Sequence, residues 1–272
     1  MNDLLLPLEI LRDHGLHAFA FDFGRYIIAA SLFAGIVWMM RRTQLASRKI
    51  QVREATRADI QRELVASFQT CLVYVLITVL VIWGRKTDVL QPFDRDMGWL
   101  PGIGLLIAIV IAHDAYFYWA HRMMHHPRLF KTFHRFHHKT VTPTPFTAYA
   151  FAMPEAFVMA IFFPIWQFFV PTPPWVMFTF LNLQIIRNVM AHAGVELHPR
   201  WWLKTPLTAW ISATTHHDMH HSGSFNHNYG FYFRFWDKMM GTEHPKYVET
   251  FERVVASKLT AKGSAAVPST SL

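Results

Sequence analysis

Long apolar segments dominate the first half of the chain. Residues 19–40, 64–83 and 100–120 carry few charges, and each approaches the length that a helix needs to cross the roughly 30 Å hydrocarbon core of a bilayer. We therefore predict three membrane spans. An interfacial helix is the alternative for the first segment, because its cleanest part, residues 26–40, is short for a span.

A fourth apolar region is divided in two by prolines. Residues 146–170 precede the sequence Pro-Thr-Pro-Pro at 171–174, and the apolar character resumes over residues 175–190. The pattern predicts a helical hairpin that enters the membrane and returns on the same side. Its second arm is expected to line a site, because it carries several polar side chains: Asn182, Gln184, Arg187 and Asn188.

The remainder of the chain is more polar. Residues 194–255 are rich in Trp, Pro and Gly between polar positions and predict a helical cap, whereas residues 256–272 have the composition of a disordered tail. These elements together predict an all-α integral membrane helical bundle of about four to five membrane helices or hairpin arms with a cap. We expect residues 1–255 to form a single membrane-embedded domain.

Composition supports a membrane protein. Hydrophobic residues make up 52% of the chain and charged residues only 16%, which is more apolar and less charged than a typical soluble domain. The net charge of +8 could suggest binding to nucleic acid. The basic residues lie beside the apolar segments instead of forming a separate basic domain, so we expect no nucleic-acid partner.

The distribution of charge predicts an orientation. Residues 41–62 contain seven basic and two acidic residues, whereas residues 85–99 balance three of each. Basic loops of membrane proteins face the cytoplasm. We therefore expect residues 41–62 in the cytoplasm, the amino terminus outside, and the third span ending on the cytoplasmic side.

Histidines are concentrated in one region. Fourteen of the 17 lie between His113 and His227, most of them in three short clusters at 121–126, 134–138 and 216–221. Two clusters share the spacing H-x-x-H-H, which on a helix would present three imidazoles to one point. Neutral imidazole suits zinc, copper, iron and nickel, and the single cysteine, Cys71, argues against thiolate or iron–sulfur sites.

The clusters and one solitary histidine supply more ligands than one ion needs. We predict two metal ions with four or five ligands each, drawn from nine residues: His121, His125, His134, His137, His138, His192, His217, His220 and His221. Three neighbours could support these ligands or be merely packed: His113, His126 and His216. Five others are expected to be ordinary core or surface residues: His14, His17, His198, His227 and His244.

With its flanking residues, this pattern resembles the fatty acid hydroxylase/sterol desaturase superfamily of integral-membrane di-iron oxygenases. The resemblance runs from Asp114 to Gly241 and includes Asp-Ala-Tyr-Phe-Tyr-Trp-Ala-His-Arg at 114–122, His-Ala-Gly at 192–194, Asn-Tyr-Gly at 228–230 and Phe-Trp-Asp at 235–237. The H-x-x-x-H spacing of the first cluster is closer to the sterol and sphingoid branch. On that resemblance His125, and not His126, is the expected ligand.

The resemblance implies an enzyme. A catalytic region at 113–241 would hold two iron ions and use O2 to hydroxylate or desaturate an unactivated C–H bond of a membrane lipid. Zinc could replace iron after heterologous expression, because imidazole ligands accept it. Asp114, Asp218 and Glu196 are expected to orient ligating histidines, with a purely structural hydrogen bond as the alternative for Asp114. Some relatives of the fatty-acyl branch have a further histidine at the position of Glu196.

The sequence contains no dinucleotide-binding fingerprint, so electrons are expected from another protein, either a b-type cytochrome or a ferredoxin with its reductase. Two other functions fit a histidine-rich membrane protein. A zinc-dependent hydrolase would use a metal-bound water with Asp218 or Glu196 as the base. A metal transporter or sensor would also need many histidines, although some of them should then lie within the spans.

Overall fold

The computed structural model describes residues 5–93, 97–222 and 225–256. Ten α-helices lie within these ranges: α1 (Leu6–Met40), α2 (Arg57–Lys86), α3 (Trp99–Met124), α4 (Pro127–Phe133), α5 (Met153–Ala160), α6 (Phe162–Phe169), α7 (Pro174–Ala191), α8 (Thr214–Ser222), α9 (Phe235–Met239) and α10 (Tyr247–Ala256). Short 3-10 helices occupy Gln44–Arg48, His137–Lys139, Pro145–Tyr149 and Trp202–Lys204. The described ranges contain no β-strand, only two isolated bridges. The all-α prediction is confirmed.

Three helices, α1, α2 and α3, are long and apolar enough to cross a membrane, as predicted. Each is longer than its apolar segment. The largest difference is in α1, which begins at Leu6 with Pro7 in its first turn, well before residue 19. Apolar content marks only the part of a helix that lies in hydrocarbon. The first turns of α1 are more polar and include the exposed pair Arg12 and Asp13, so they were not predicted.

Helices α1 and α2 pack side by side and are joined by the basic connector. The start of α2 is fixed by a capping box, in which the hydroxyl of Thr56 accepts from the amide of Asp59 and the carboxylate of Asp59 accepts from the amide of Thr56. Buried residues of both helices join one core cluster with the 3-10 helix Pro145–Tyr149 and with α7, including Tyr26, Ala30 and Cys71.

The fourth apolar region is helical on both sides of the prolines at 171–174, as predicted, but its first part is shorter than expected. Residues 146–152 were predicted to continue this helix, whereas only the short 3-10 helix Pro145–Tyr149 lies there. The α-helical part is Met153–Phe169, in the two pieces α5 and α6, and α7 follows after the prolines. The segment before α5 is buried, and its carbonyls serve other partners: Ala148 accepts from the Asn188 side chain, and Ala150 accepts from His137. Non-helical backbone is tolerated at this depth where protein groups satisfy it.

The cap is built from α8, α9 and α10 and has a small core of its own around Tyr247 and Phe251. It is tied to the bundle by Arg187 of α7, whose guanidinium donates to the carbonyls of Ser212 and Phe231. The expected tail, apart from Ala256 at the end of α10, lies outside the described residues.

Candidate metal centre

All nine predicted ligand residues meet at one end of the bundle. His121 lies in the last turn of α3, His125 directly follows that helix, and His192 directly follows α7. The second cluster lies between α4 and α5, and the third lies on α8. The nine side chains form two groups, and the ligand atoms of each group lie within 4.8 Å of one another.

The first group contains five imidazoles, from His121, His125, His134, His138 and His220. Their Nε2 atoms converge. The distance is 2.9 Å between His121 and His134, and His125 lies 3.2 Å from both His138 and His220. Four of the five side chains are buried, and His125 is partly exposed.

The second group contains four buried imidazoles, from His137, His192, His217 and His221. Their Nε2 atoms form a chain of short contacts. His217 lies 3.0 Å from His192 and 3.2 Å from His221, and His192 lies 3.4 Å from His137.

The partition differs from the prediction that each H-x-x-H-H cluster serves one point. The second cluster is not α-helical, because α4 ends before His134 and a 3-10 helix begins at His137. Consequently His134 and His138 join the first group, while His137 joins the second. The third cluster is helical, yet His220 joins the first group, whereas His217 and His221 join the second.

Hydrogen bonds at Nδ1 determine the tautomers of several imidazoles. Nδ1 of five histidines lies 2.7–3.2 Å from a backbone carbonyl oxygen: His121, His137, His192, His220 and His221 face Tyr229, Ala150, Asn188, His227 and Thr140 respectively. A carbonyl only accepts, so Nδ1 carries the proton, and Nε2 of the neutral ring is a lone pair. At His137 and His192 two such lone pairs face each other at 3.4 Å, an arrangement that a bound cation would stabilise.

This donor set fits a metal ion. A metal–nitrogen bond of about 2.1 Å places neighbouring ligand nitrogens roughly 3.0–3.4 Å apart for angles of about 90–109°. The Nε2 contacts in both groups span nearly the same range, from 2.9 to 3.4 Å. Both groups consist of imidazole alone, which suits iron, zinc, copper and nickel.

Burial also favours the neutral imidazoles that metals bind. It lowers the pKa of His192 to about 4. Burial, together with His192 and His221 nearby, holds the pKa of His217 well below its usual range. A lowered pKa favours the uncharged imidazole at neutral pH, the form that binds a metal through its free ring nitrogen.

One carboxyl group contacts a ligand histidine, and the sequence prediction missed it. Oε1 of Glu155 accepts from Nδ1 of His134 at 2.6 Å, and both side chains are buried. Glu155 is the only acidic residue within residues 141–191, a largely apolar stretch. An ionisable residue in such a stretch is a functional candidate by default, and this signal could have identified it.

The three predicted carboxylates have other contacts. Asp114 accepts from the backbone amides of Tyr232 and Phe233, which corresponds to the alternative of a purely structural hydrogen bond. Asp218 accepts from Gln51 at 2.7 Å, and burial raises the pKa of Asp218 to about 7.

Glu196 accepts from His198 and, at the start of α8, from both the amide and the hydroxyl of Thr215. It therefore positions α8, which carries three ligand candidates. Within the described ranges none of these three carboxylates belongs to a ligand group.

The remaining histidines lie outside both groups. Nδ1 of His126 accepts from the amide of Arg128 and caps α4. His216 lies 3.4 Å from Asp237, and the rings of His227 and His244 pack together. His113, His14 and His17 line a cavity between the membrane helices.

That cavity has a volume of about 480 Å³ and is lined mainly by apolar side chains of α1, α2, α3, α5, α6 and α7. Two of its aromatic residues reach the histidines. Phe151 lies 5.2 Å from His137 between ring centroids, and Phe117 lies 5.2 Å from His121. The volume is in the range of small-molecule sites, and the lining suits an apolar ligand.

Comparison with known proteins agrees with this geometry. Residues 106–242, half of the chain, match the fatty acid hydroxylase family. The chain belongs to the fatty acid hydroxylase family. The resemblance predicted from the three histidine clusters is thereby confirmed. No solved structure matches the chain.

Similar proteins within the family are sterol enzymes. A Delta(7)-sterol 5(6)-desaturase of Gibberella zeae is 30% identical over 68% of this chain and 56% of its own length. Lathosterol oxidase of Rattus norvegicus is 32% identical over 57% of this chain and 50% of its own length. Lathosterol oxidase of Homo sapiens is 28% identical over 68% of this chain and 61% of its own length. The chain thus spans about half the length of the curated relatives it matches. The predicted likeness to the sterol branch is confirmed.

The matched region, residues 106–242, contains all nine ligand candidates, most of α3, and α4 to α9. It excludes α1 and α2. The cavity wall contributed by these two helices, from His14 to Arg25 and from Tyr74 to Arg85, therefore lies outside the matched region.

Proposed function

We propose that the protein is an O2-dependent lipid hydroxylase or desaturase with a di-iron centre. The observation that carries the proposal is the convergence of two groups of imidazole lone pairs, with five and four ligand candidates, beside an apolar cavity between membrane helices. Each group can hold one ion, and the cavity can hold the lipid that is oxidised.

The ligand set of the proposal is the nine histidines, with Glu155 orienting His134. Iron bound there would supply, with O2, an oxidant able to remove hydrogen from an unactivated C–H bond. The carbonyls that face Nδ1 keep each Nε2 free for the metal and hold the ring orientation. Phe117 and Phe151 line the cavity and pack against His121 and His137, and these apolar rings would help to exclude water from the metal site.

The substrate is proposed to be a membrane lipid. A ligand in the cavity is enclosed by helices that are long and apolar enough to span the bilayer, so an amphiphile could enter from the membrane. The names of the relatives, sterol desaturase and lathosterol oxidase, favour a sterol or a lipid of similar length.

The histidine site is proposed to face the cytoplasm. The basic connector after α1 packs on the cap, where Lys49 pairs with Val195 and Gln51 donates to Asp218. The connector and the histidines thus lie at the same end of the bundle, and the positive-inside rule assigns that end to the cytoplasm. Electrons would come from a cytoplasmic donor protein, either a b-type cytochrome or a ferredoxin with its reductase.

Metal analysis combined with oxygen uptake tests the proposal. Purified protein loaded with iron should consume O2 only when a reductant and a sterol or another lipid are present, and 18O2 labelling should distinguish hydroxylation from desaturation. Zinc with ester or amide cleavage would instead support a hydrolase. Labile metal without turnover would support a transporter or sensor.

A further inference from the structure

The cavity wall contains a buried ion pair. Asp22 and Arg25 of α1 both line the cavity, and their side chains are only 10% and 9% exposed. Nε and Nη2 of Arg25 donate to the same oxygen of Asp22, Oδ1, at 3.0 and 2.7 Å. Arg25 also donates to the carbonyl of Leu181 at 2.6 Å, which ties α1 to α7.

Three polar atoms of this wall have no hydrogen-bond partner among the described residues: the hydroxyl of Tyr149, Nδ1 of His113 and Oδ2 of Asp22. The described residues supply no hydrogen-bond donor to Oδ2 of Asp22. The hydroxyl of Tyr149, which also lines the cavity, is fully buried and has no hydrogen-bond partner within the described ranges. Buried polar atoms are almost always paired, so the fully buried, unpaired hydroxyl of Tyr149 in a cavity wall points to a ligand that pairs with it. Oδ2 of Asp22 is an acceptor in the same wall that such a ligand can also use.

Asp22 and Tyr149 line the same cavity and are connected through Tyr26. The ring of Tyr149 stacks on Tyr26 with 5.1 Å between centroids, and Tyr26 follows Asp22 by about one turn of α1. Ionised Asp22 can only accept a hydrogen bond, whereas the Tyr149 hydroxyl can donate one. A hydroxyl, which both donates and accepts, satisfies the two atoms together.

We propose that Asp22 and Tyr149 bind the hydroxyl group of a lipid alcohol and thereby select the substrate class. The inference rests on the proposed function, which makes this cavity the substrate site. A fatty acid carboxylate has no proton to donate at neutral pH and is repelled by Asp22, while the charge of Arg25 is already compensated. A ketone can accept from Tyr149 but leaves Asp22 without a donor.

The site also orients the lipid. Tyr149 lies two residues before Phe151, whose ring contacts His137, so the hydroxyl end of the lipid lies toward the histidines. The remainder extends toward His14, eight residues or about 12 Å before Asp22 along α1. The oxidised carbon is therefore expected near the hydroxyl-bearing carbon.

Equilibrium binding to the full-length, zinc-loaded protein in lipid nanodiscs tests this inference without turnover. The probes are lathosterol, its 3-ketone and its 3-deoxy analogue, with hexadecanol and hexadecanoate as a second alcohol and an anion. We expect at least one of the alcohols to bind about ten-fold or more tightly than its analogues, the effect of a buried hydrogen bond left unmade.

The decisive variant is Tyr149→Phe, because the hydroxyl that it removes has no partner among the described residues, so its loss should leave the fold intact. It should weaken binding of the alcohol about ten-fold and leave the deoxy analogue unchanged. The matched control is Tyr26→Phe, whose hydroxyl donates to the carbonyl of Phe146 at 2.8 Å and does not line the cavity. Tyr26→Phe should change the dissociation constants of the alcohol and of its deoxy analogue by less than about two-fold.

Asp22→Asn should abolish the preference for alcohol over ketone, and retained binding of the deoxy analogue shows that its cavity is intact. The inference is overturned if neither alcohol binds saturably, if the ketone or deoxy analogue binds as tightly, or if Tyr149→Phe has no effect on the alcohol. Alcohol selectivity without oxygen-dependent oxidation by the iron-loaded protein would instead overturn the proposed function and leave this inference standing.

Discussion

Oε1 of Glu155 lies 2.6 Å from Nδ1 of His134, and both side chains are buried. Among the candidate ligands, His134 is bonded in this way to a carboxyl group, whereas five others bond to backbone carbonyls. A carboxylate partner fixes the ring of a ligating histidine and raises its basicity. Helix α5 is thereby coupled to the first histidine group.

We predict that Glu155→Ala weakens iron binding about 10- to 100-fold, the usual effect of removing such a partner. Glu155→Gln keeps an oxygen acceptor and should lose less. Competition with a calibrated chelator measures the affinity. Glu249→Ala, on the exposed face of α10, is the control and should bind iron like the wild type. Equal affinities for Glu155→Ala and the control would show that the contact is not part of the metal site.

Neighbouring residues in the second cluster serve different groups, so His137→Ala and His138→Ala should have different effects. His137→Ala leaves three ligands in the second group and should reduce bound iron from two ions to about one per chain. His138→Ala leaves four in the first group and should retain more metal. Iron content by mass spectrometry, with protease sensitivity of the cap measured on the same samples, separates ligand loss from unfolding.

His244→Ala is the control for these variants, since His244 lies outside both groups. It should retain both ions and activity within a few-fold. His14 is less suitable as a control, because it lines the cavity. Two ions in fully active His137→Ala protein would contradict the grouping.

The orientation in the membrane predicts opposite outcomes for two reporter fusions. A fusion at residue 50, in the basic connector, should report the cytoplasm, and one at residue 92, after α2, should report the outside. If both report the same side, α2 does not cross the membrane. An external position 50 would place the histidines outside the cytoplasm.

The side chain of Arg187 connects α7 with the cap through the carbonyls of Ser212 and Phe231. Arg187→Met leaves these acceptors without the guanidinium, at a cost of about 1–3 kcal/mol for each acceptor that stays buried. We expect faster proteolysis of the cap in this variant. Arg253→Met, an exposed position on α10, should leave the rate unchanged. Equal rates for the two variants would exclude Arg187 as the connection.

The sequence predicted the features that depend on composition and spacing. The three spans follow from continuous apolar segments, and the nine histidines stand out because imidazoles are rarely so concentrated. Their partition could not be predicted, since it depends on α4 ending before His134 and on the 3-10 helix at His137. Helical spacing rules do not apply across such a break.

Contacts between residues far apart in the chain could not be predicted from the sequence either. Residues 146–152 look α-helical by hydrophobicity, but only a short 3-10 helix forms there. The carbonyls of Ala148 and Ala150 accept from Asn188 and His137, which lie elsewhere in the chain. For Asp114 the sequence left open whether it orients a histidine or makes a structural hydrogen bond, and it accepts from the amides of Tyr232 and Phe233. Such choices depend on which donors the fold brings near, and this information is not local in sequence.

The central claim is that two metal ions lie within the two histidine groups. An anomalous difference map collected at the iron absorption edge from crystals of active, iron-loaded protein tests it most directly. The account predicts two peaks per chain, one among His121, His125, His134, His138 and His220, the other among His137, His192, His217 and His221. A single peak, or iron bound away from these residues, would contradict it.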